Sequence, residues 1–391
     1  MSFRKIFSRE FRLTFVAQLA FSSSLFILIP TLPVYLSQLG RAEAEIGILI
    51  GTSSVSSVLM RPLVGWALLR IPERNFMFGG ASLLGLCAIA YIVLPPFWPF
   101  LAIRVVHGFA FALFYTASTT YVTRISPEEH RGQSISYFFL AFNLAFALAP
   151  SFGMFLLNRF NFTVLFLVCG ALCLAALFLT TRLERGEKAI FDATGDRSLI
   201  STKALPPAVL AFFTHIIWGA LTTFFPLYAL ENGMRNPGLF FTAFAAMLIL
   251  GRMFGGKILD LYPREQVIFP CLITYIVATL ILAFSKTTPM FILASLIWGA
   301  GNALAFPAFV ALAIDLAGSS RGPALGTFTA LSDLGIGLGA VIMGGVLRLT
   351  NFQIMFLSLA LTGLINFLFF YGVFVKRRPR RSPSRDGDWE R

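Results

Sequence analysis

Twelve long apolar runs, separated by short polar segments, follow one another along almost the whole chain. Most contain about 20 residues or more, enough for a helix to cross the roughly 30 Å hydrocarbon core of a membrane. They lack the strict alternation of apolar and polar positions that membrane strands need, so helices are predicted throughout. The predicted helices cover roughly 12–37, 45–69, 76–97, 99–122, 133–157, 162–181, 205–230, 237–261, 266–284, 288–315, 323–348 and 351–375.

The polar segments show that the chain is an internal duplication. RPLVGWALLRIPERN, which begins at Arg61, returns about 190 residues later as RMFGGKILDLYPREQ, which begins at Arg252. Gly108 and Gly299 keep the same spacing. Two halves of six helices each follow from this repeat. We predict an all-α integral membrane protein with four parts, namely an N-terminal bundle (1–181), a cytoplasmic linker (182–204), a C-terminal bundle (205–375) and a basic cytoplasmic tail (376–391).

Composition supports a membrane protein, with 57% hydrophobic and only 13% charged residues. The four cysteines all lie in apolar runs, which favours packing roles over disulfides or a metal site. The apolar run near the N-terminus is too long for a signal peptide and is interpreted as an uncleaved first helix.

Lys and Arg predict the orientation. If both termini are cytoplasmic, the outer loops carry only a few bases, and the excess lies inside. The net charge of +13 therefore reflects membrane orientation rather than nucleic-acid binding. A cell inner membrane location is expected. The outer bases are Arg41, Arg159, Arg235, Lys286 and Arg348.

Enzymatic chemistry finds no support in the sequence. The segment GRMFGGK, from Gly251 to Lys257, imitates a phosphate-binding loop but continues with Ile258 where Ser or Thr is needed. No other nucleotide motif, catalytic triad or zinc-ligand cluster is present. We predict no enzyme activity and no cofactor.

A loop signature follows the second helix of each half. The first copy keeps Gly65, Arg70 and Arg74, and the second keeps Gly256 and Asp260. These residues resemble the G-x-x-x-D-R-x-G-R-R loop of the major facilitator superfamily of transporters, and the resemblance extends over nearly the whole chain. It implies a twelve-helix fold in which this loop joins the two halves at the cytoplasmic side.

The gating hypothesis adds one charge from each half. Arg124 and Asp315 lie at the corresponding inner ends of the fourth and tenth helices. Each has the same sign as the charge left in the loop of its own half, so pairing across the halves is one hypothesis. Independent, solvated charges are the other.

Two further segments resemble family motifs. Arg104-Val-Val-His107-Gly108 matches the R-x-x-Q-G pattern of the fourth helix, with His in place of Gln. Ala149-Pro-Ser-Phe-Gly153 is a degraded form of the G-P-x-x-G signature that the family's exporters carry. The resemblance thus implies export.

Asp333 is the acid predicted near mid-membrane, and its repeat equivalent is Asn143. Intramembrane charges are expensive, which favours a proton-carrying role for Asp333; helix packing is the alternative. Arg104 or Arg252 is predicted to tune the pKa of Asp333, and Arg252 is a candidate to face it. Arg61 also lies deep enough to need a partner.

In the family the fourth, seventh and tenth helices line the central cavity, so the resemblance implies a partly polar, aromatic substrate site on these helices. Asn143 of the fifth helix is included. The predicted substrate-binding residues are His107, Tyr115, Asn143, His215, Trp218, Trp298 and Asn302.

The function predicted from these features is secondary active transport, with proton-coupled export of a small organic molecule by alternating access. The expected partners are that molecule, protons and membrane lipids, with the chain acting as a monomer. Uptake by proton symport is an alternative. Export of a sugar or siderophore is another, for which Ser22, Ser23 and Ser24 would supply hydrogen bonds. A receptor or lipid scramblase is the alternative outside transport.

Overall fold

The computed structural model describes residues 7–94, 97–127, 130–184, 201–317 and 321–376, without the side chains of 132, 254–257, 259, 260, 321 and 322. All twelve predicted helices are present. They are α1 Arg9–Gln38, α2 Glu43–Ala67, α3 Glu73–Val93, α4 Trp98–Ile125, α5 Arg131–Arg159, α6 Phe162–Thr181, α7 Leu205–Glu231, α8 Gly238–Leu261, α9 Arg264–Phe284, α10 Thr288–Ala317, α11 Arg321–Leu349 and α12 Phe352–Phe370.

Eleven of these helices are long and apolar enough, over their described residues, to cross a membrane. The twelfth, α8, has its described apolar part at Gly238–Met253. A turn of 3-10 helix at Thr202–Ala204 precedes α7, and a π-helical turn at Tyr371–Val375 follows α12. The chain is therefore an all-helical, multi-pass membrane protein.

Local sequence determines several helix ends. α3 ends at Val93, earlier than predicted, because Leu94 is extended and precedes a proline. Asn161 caps α6 by accepting a hydrogen bond from the backbone N–H of Val164 at 3.0 Å. Its repeat equivalent, Asn351, caps α12 by accepting from Ile354 at 3.0 Å.

The two sets of six helices pack in the same pattern. In the first set α1 contacts α5 and α6, α3 contacts α4 and α6, and α2 contacts α4. In the second set α7 contacts α11 and α12, α9 contacts α10 and α12, and α8 contacts α10. The duplication seen in the sequence is thus a structural repeat. The linker and tail lie mostly outside the described residues, so the domain boundaries stay predictions.

Two equivalent helix pairs join the halves. α2 packs on α11, and the matching pair is α8 on α5. We call the end of the bundle at which α1 begins and α12 ends the terminal end, and the opposite one the far end. The halves meet closely at the far end, where a methyl group added to Gly344 of α11 would lie 2.7 Å from the carbonyl oxygen of Glu43 in α2.

The second pair also meets at the far end. Thr242 of α8 donates to the carbonyl of Ala147 in α5 at 2.7 Å, and Asn158 donates to the carbonyl of Arg235 at 2.9 Å. At the terminal end of α2 and α11, a methyl group added to Gly65 or Gly326 would meet no atom within 4 Å. Backbone contact therefore closes the far end, and these glycine positions indicate an opening towards the terminal end.

Candidate functional site

A cavity of about 420 Å³ lies between the halves. It is lined by residues of α1, α2, α4 and α5 from the first half and of α7, α8, α10 and α11 from the second. Most of its wall is apolar, with a few arginine, histidine, serine and amide side chains and one carboxylate among the described residues. This combination is typical of a site for a small organic ligand.

Asp333 of α11 contributes that carboxylate, and it forms an ion pair with Arg61 of α2. The pair bridges the two halves inside the cavity. The side chains are only 23% (Arg61) and 20% (Asp333) exposed, and the rings of Phe111 and Tyr115 lie 5.6 and 5.8 Å from the Arg61 guanidinium. These rings provide a favourable surface for the cation. Asp333 is thus placed where protonation would remove a charge contact between the halves.

The partner of Asp333 differs from the one expected, because Arg61 and not Arg252 contacts it. The helix packing explains the difference. α11 lies against α2, which carries Arg61, whereas α8, which carries Arg252, packs on α5 and α10. Arg252 lines the same cavity with an exposed side chain, and no described residue forms an ion pair with it. A proton-coupling role for Arg252 stays a prediction.

Arg104 is buried and tied to the backbone of α2. Its guanidinium donates to the carbonyl oxygens of Leu49 at 2.9 Å and Ile50 at 3.1 Å, and also to the hydroxyl of Ser53. A further hydrogen bond reaches the Tyr91 hydroxyl at 3.4 Å. These bonds satisfy much of the buried charge and fix α2 on α3 and α4. This geometry favours a positioning role, and the predicted proton-coupling role stays untested.

Two histidines line the cavity from opposite halves. His107 Nδ1 lies 3.2 Å from the Tyr91 hydroxyl. His215 Nδ1 donates to the carbonyl of Ala211 at 2.7 Å, since a carbonyl can only accept. In the neutral imidazole this leaves the other nitrogen of His215, Nε2, as an acceptor for a ligand.

Six of the seven predicted substrate-binding residues line the cavity, namely His107, Tyr115, Asn143, His215, Trp218 and Asn302. Trp298, the seventh, does not. It is completely buried behind Trp218, with ring centroids 5.2 Å apart, and packs at 4.3 Å on Phe244. Aromatic rings thus enclose Trp298, whereas its repeat equivalent, His107, lines the cavity.

The predicted serine cluster of α1 also lies outside the cavity lining. Ser22 accepts a hydrogen bond from Gln18 at 2.8 Å, and Ser24 lies 3.3 Å from the sulfur of Cys173. Both serines are buried within the first half. They therefore supply no hydrogen bonds to a sugar or siderophore in this conformation. All four cysteines are buried and unbridged.

Arg124 and Asp315 each form an ion pair within their own half in this conformer, and pairing across the halves stays a prediction. Arg124 donates from Nε to Glu73 at 2.9 Å, and Arg264 Nε lies 3.7 Å from Asp315. Glu73 begins α3, which packs on α4, and Arg264 begins α9, which packs on α10. Arg124 and Asp315 therefore each have a residue of opposite charge within reach in their own half.

The other loop residues take separate positions. Arg74 donates to the carbonyls of Thr180 at 3.2 Å and Thr181 at 2.6 Å, at the end of α6. Arg70 is exposed and stacks on Trp66 at 4.4 Å, while Gly65 is exposed on the last turns of α2. The side chains at Gly256 and Asp260 lie outside the described residues.

Sequence reasoning missed several lining residues. Ser53, Ser57 and Ser332 add hydroxyl groups to the wall, and Phe146 adds a ring that stacks on Trp218 at 5.2 Å. Polarity inside an apolar run was the available signal for the serines. Phe146 gave no signal because it is one of 44 phenylalanines.

Two six-helix repeats around a central cavity that contains charged side chains are the architecture of a membrane transporter. The sequence matches the Major Facilitator Superfamily over residues 14–240 and again over 208–389. The chain belongs to that superfamily.

Two curated relatives come from Staphylococcus aureus. The staphylopine export protein of strain Mu50 / ATCC 700699 is 24% identical over 391 residues, covering 95% of this chain and 96% of the relative. The quinolone resistance protein NorA of strain MSSA476 is 22% identical over 332 residues, covering 82% and 85%. Among solved structures, the nucleoside transporter NupG has a TM-score of 0.78 at 15% identity, covering 94% of this chain and 100% of that one. The similarity to NupG concerns the fold alone.

Proposed function

We propose that the protein exports a small organic molecule in exchange for protons, by alternating access of the central cavity. Membership of the superfamily supports transport. Two relatives support the direction, since one is named for staphylopine export and the other for quinolone resistance, which export of the drug would explain. The degraded exporter motif, Ala149 to Gly153, agrees with them.

The excess of Lys and Arg on the loops of the terminal end supports an inner membrane location with both termini cytoplasmic. In that orientation the cavity opens to the cytoplasm, and the packed far end faces outward. This is the conformer in which an exporter loads its substrate. Release would require the far end to separate and the terminal end to close.

The single observation that carries the proton coupling is the ion pair between Arg61 and Asp333. A proton on Asp333 neutralises the carboxylate and removes most of its attraction for Arg61. Because α2 and α11 belong to different halves, this weakens one contact between them at the depth of the cavity. Proton loading and the movement of the halves are thereby linked, with Asp333 as the proton carrier.

The test uses sealed vesicles with an imposed pH gradient, containing the wild-type protein or the Asp333→Asn variant. Lipophilic cations, sugars, siderophores and organic acids are screened for collapse of the gradient. We expect collapse with the wild type and none with Asp333→Asn, which should still bind substrate. Arg159→Gln removes an exposed charge at the far end and serves as the matched control.

Other outcomes would point elsewhere. Equal collapse by both proteins would make Asp333 a packing residue. Accumulation of substrate together with protons would indicate uptake by symport. Movement of lipids between the leaflets without a pH gradient would indicate a lipid scramblase rather than a proton-coupled transporter.

A further inference from the structure

The pairing of Arg61 with Asp333 has an equivalent position in the other half of the repeat, and there the carboxylate is missing. The repeat equivalent of Arg61 is Arg252, and that of Asp333 is Asn143. The helices follow the same rule, since α2 packs on α11 and α8 packs on α5. Both Arg252 and Asn143 line the cavity. The pair α2 and α11 therefore carries an arginine and an aspartate, whereas the equivalent pair α8 and α5 carries an arginine and an asparagine.

The charges of the cavity wall are unbalanced as a result. Arg61 is neutralised by Asp333, and Arg104 is held by two backbone carbonyls. Arg252 has neither kind of contact with any described residue. An arginine at membrane depth costs about 2.5–3.5 kcal/mol on insertion scales, so it is retained where a cavity or a ligand uses it. A cation entering this cavity would meet an excess of positive charge, whereas an anion would reduce it.

We propose that the transported molecule carries a carboxylate and that Arg252 binds it, at the position equivalent to that of Asp333 beside Arg61. The assignment rests on the proposed transport function and specifies its substrate class. A guanidinium offers two parallel N–H donors to a carboxylate. Asn143 suits the same ligand, because its amide nitrogen donates to a carboxylate that an aspartate at this position would repel.

The rest of the wall suits an organic acid with a flat, apolar body. Trp218 and Phe146, from opposite halves, stack with centroids 5.2 Å apart and an interplanar angle of 29°. Phe306 and the ring of His215 lie 5.8 Å apart on the same wall. The parts of these rings that line the cavity favour ligands that pack an aromatic ring against them. The class inferred is therefore an aromatic or other hydrophobic carboxylic acid.

The experiment measures binding to the purified full-length protein in detergent by ligand-dependent shifts in melting temperature. Matched probes differ only in the carboxylate: hippurate and hippuramide, indole-3-acetate and indole-3-acetamide, norfloxacin and its methyl ester. For the wild type we expect the acids to stabilise at lower concentration than their neutral or esterified counterparts. In Arg252→Gln the half-maximal concentration for the acids should rise about 10- to 100-fold, the usual effect of losing a charge-assisted hydrogen bond. Arg252→Lys should give a smaller rise, and Arg159→Gln none.

Asn143→Asp provides an independent variant. Its new carboxylate would pair with Arg252 as Asp333 pairs with Arg61, so the acids should again bind more weakly while the protein folds normally. The esters and amides should be unaffected. This variant keeps the proposal testable if Arg252→Gln fails to fold.

The proposal is overturned if the amides or esters bind the wild type as well as the acids do, or if no acid stabilises it. Unchanged acid binding in Arg252→Gln or Asn143→Asp overturns it as well. None of these measurements uses a proton gradient. If the acids bind through Arg252 but Asp333→Asn still couples transport to protons, only the proposed coupling is refuted. If Asp333→Asn abolishes coupling but acid binding does not depend on Arg252, only the substrate class is refuted.

Discussion

Arg124 donates to Glu73 in the first half, in the place where Asp315 approaches Arg264 in the second, so the same contact occurs twice with its charges exchanged. Each contact joins the terminal end of a cavity-lining helix, α4 or α10, to the start of its neighbour, α3 or α9. The two ends are thus fixed within their own halves. A rocking motion of the halves can leave both contacts intact.

The exchange of charges predicts how the Glu73 contact responds to substitution. Glu73 is 2% exposed and Arg124 is 29% exposed. Glu73→Gln should lower the free energy of unfolding by about 1–3 kcal/mol, less than for a fully buried pair. Thermal denaturation in detergent measures the change. The double variant Glu73→Arg with Arg124→Asp copies the second half and should recover most of the loss; a double variant as unstable as the single one would contradict the equivalence.

Arg104 should act on stability more than on proton coupling. In Arg104→Lys, a point charge replaces the planar fork that reaches the carbonyls of Leu49 and Ile50. We expect a lower melting temperature and transport that still depends on the pH gradient. The wild type and Arg159→Gln are the references. An unchanged melting temperature together with loss of gradient-driven transport would instead assign Arg104 to the coupling machinery.

Arg61 should be needed for coupling but not for substrate exchange. Arg61→Gln leaves Asp333 without its counterion, so the carboxyl group is expected to stay protonated. It would then no longer bind and release protons in response to the pH gradient. Gradient-driven transport should fall to the level of Asp333→Asn, while exchange of labelled substrate across the vesicle membrane continues. The double variant Arg61→Gln with Asp333→Asn should lose nothing more, because the two residues act as one unit. If the double variant lost the sum of what the two single variants lose in gradient-driven transport, the two residues would act independently.

The glycine contacts at the far end predict a shift between conformers. A methyl group added at Gly51 would lie 2.9 Å from the side chain of Val341 on α11. Gly51→Val should therefore separate the far ends and favour the conformer open there. Distances between spin labels at positions 41 and 349, in a variant lacking the native cysteines, should lengthen by several ångströms. Gly65→Ala, which meets nothing within 4 Å, is the control and should leave the distance unchanged.

The fold was predictable because it depends on repeated, long-range patterns. Apolar runs of membrane length gave all twelve helices, and the repeat of Arg61 at Arg252 gave the two halves. Asp333 was identified by its cost at membrane depth. These features need no knowledge of which helix lies beside which.

The partners of the charges were harder to predict because they depend on that packing. Arg61 and Arg252 are equivalent in the sequence, so nothing local decides which of them meets Asp333. The contact of α2 with α11 decides it. The contact of α8 with α5 places Arg252 on the helix beside the one that carries Asn143. Trp298 was misplaced for a related reason, since only the packed rings of Phe244 and Trp218 show that its position is filled from behind.

Stacking of Trp218 on Phe146 has a further consequence, since α7 carries the indole and α5 the phenyl ring. Any rotation of one half against the other must change the overlap of these rings and the polarity around the indole. Emission from this tryptophan should then shift in wavelength as the protein cycles. With the other four tryptophans replaced, Trp218 is therefore positioned to follow the turnover of the transporter in real time.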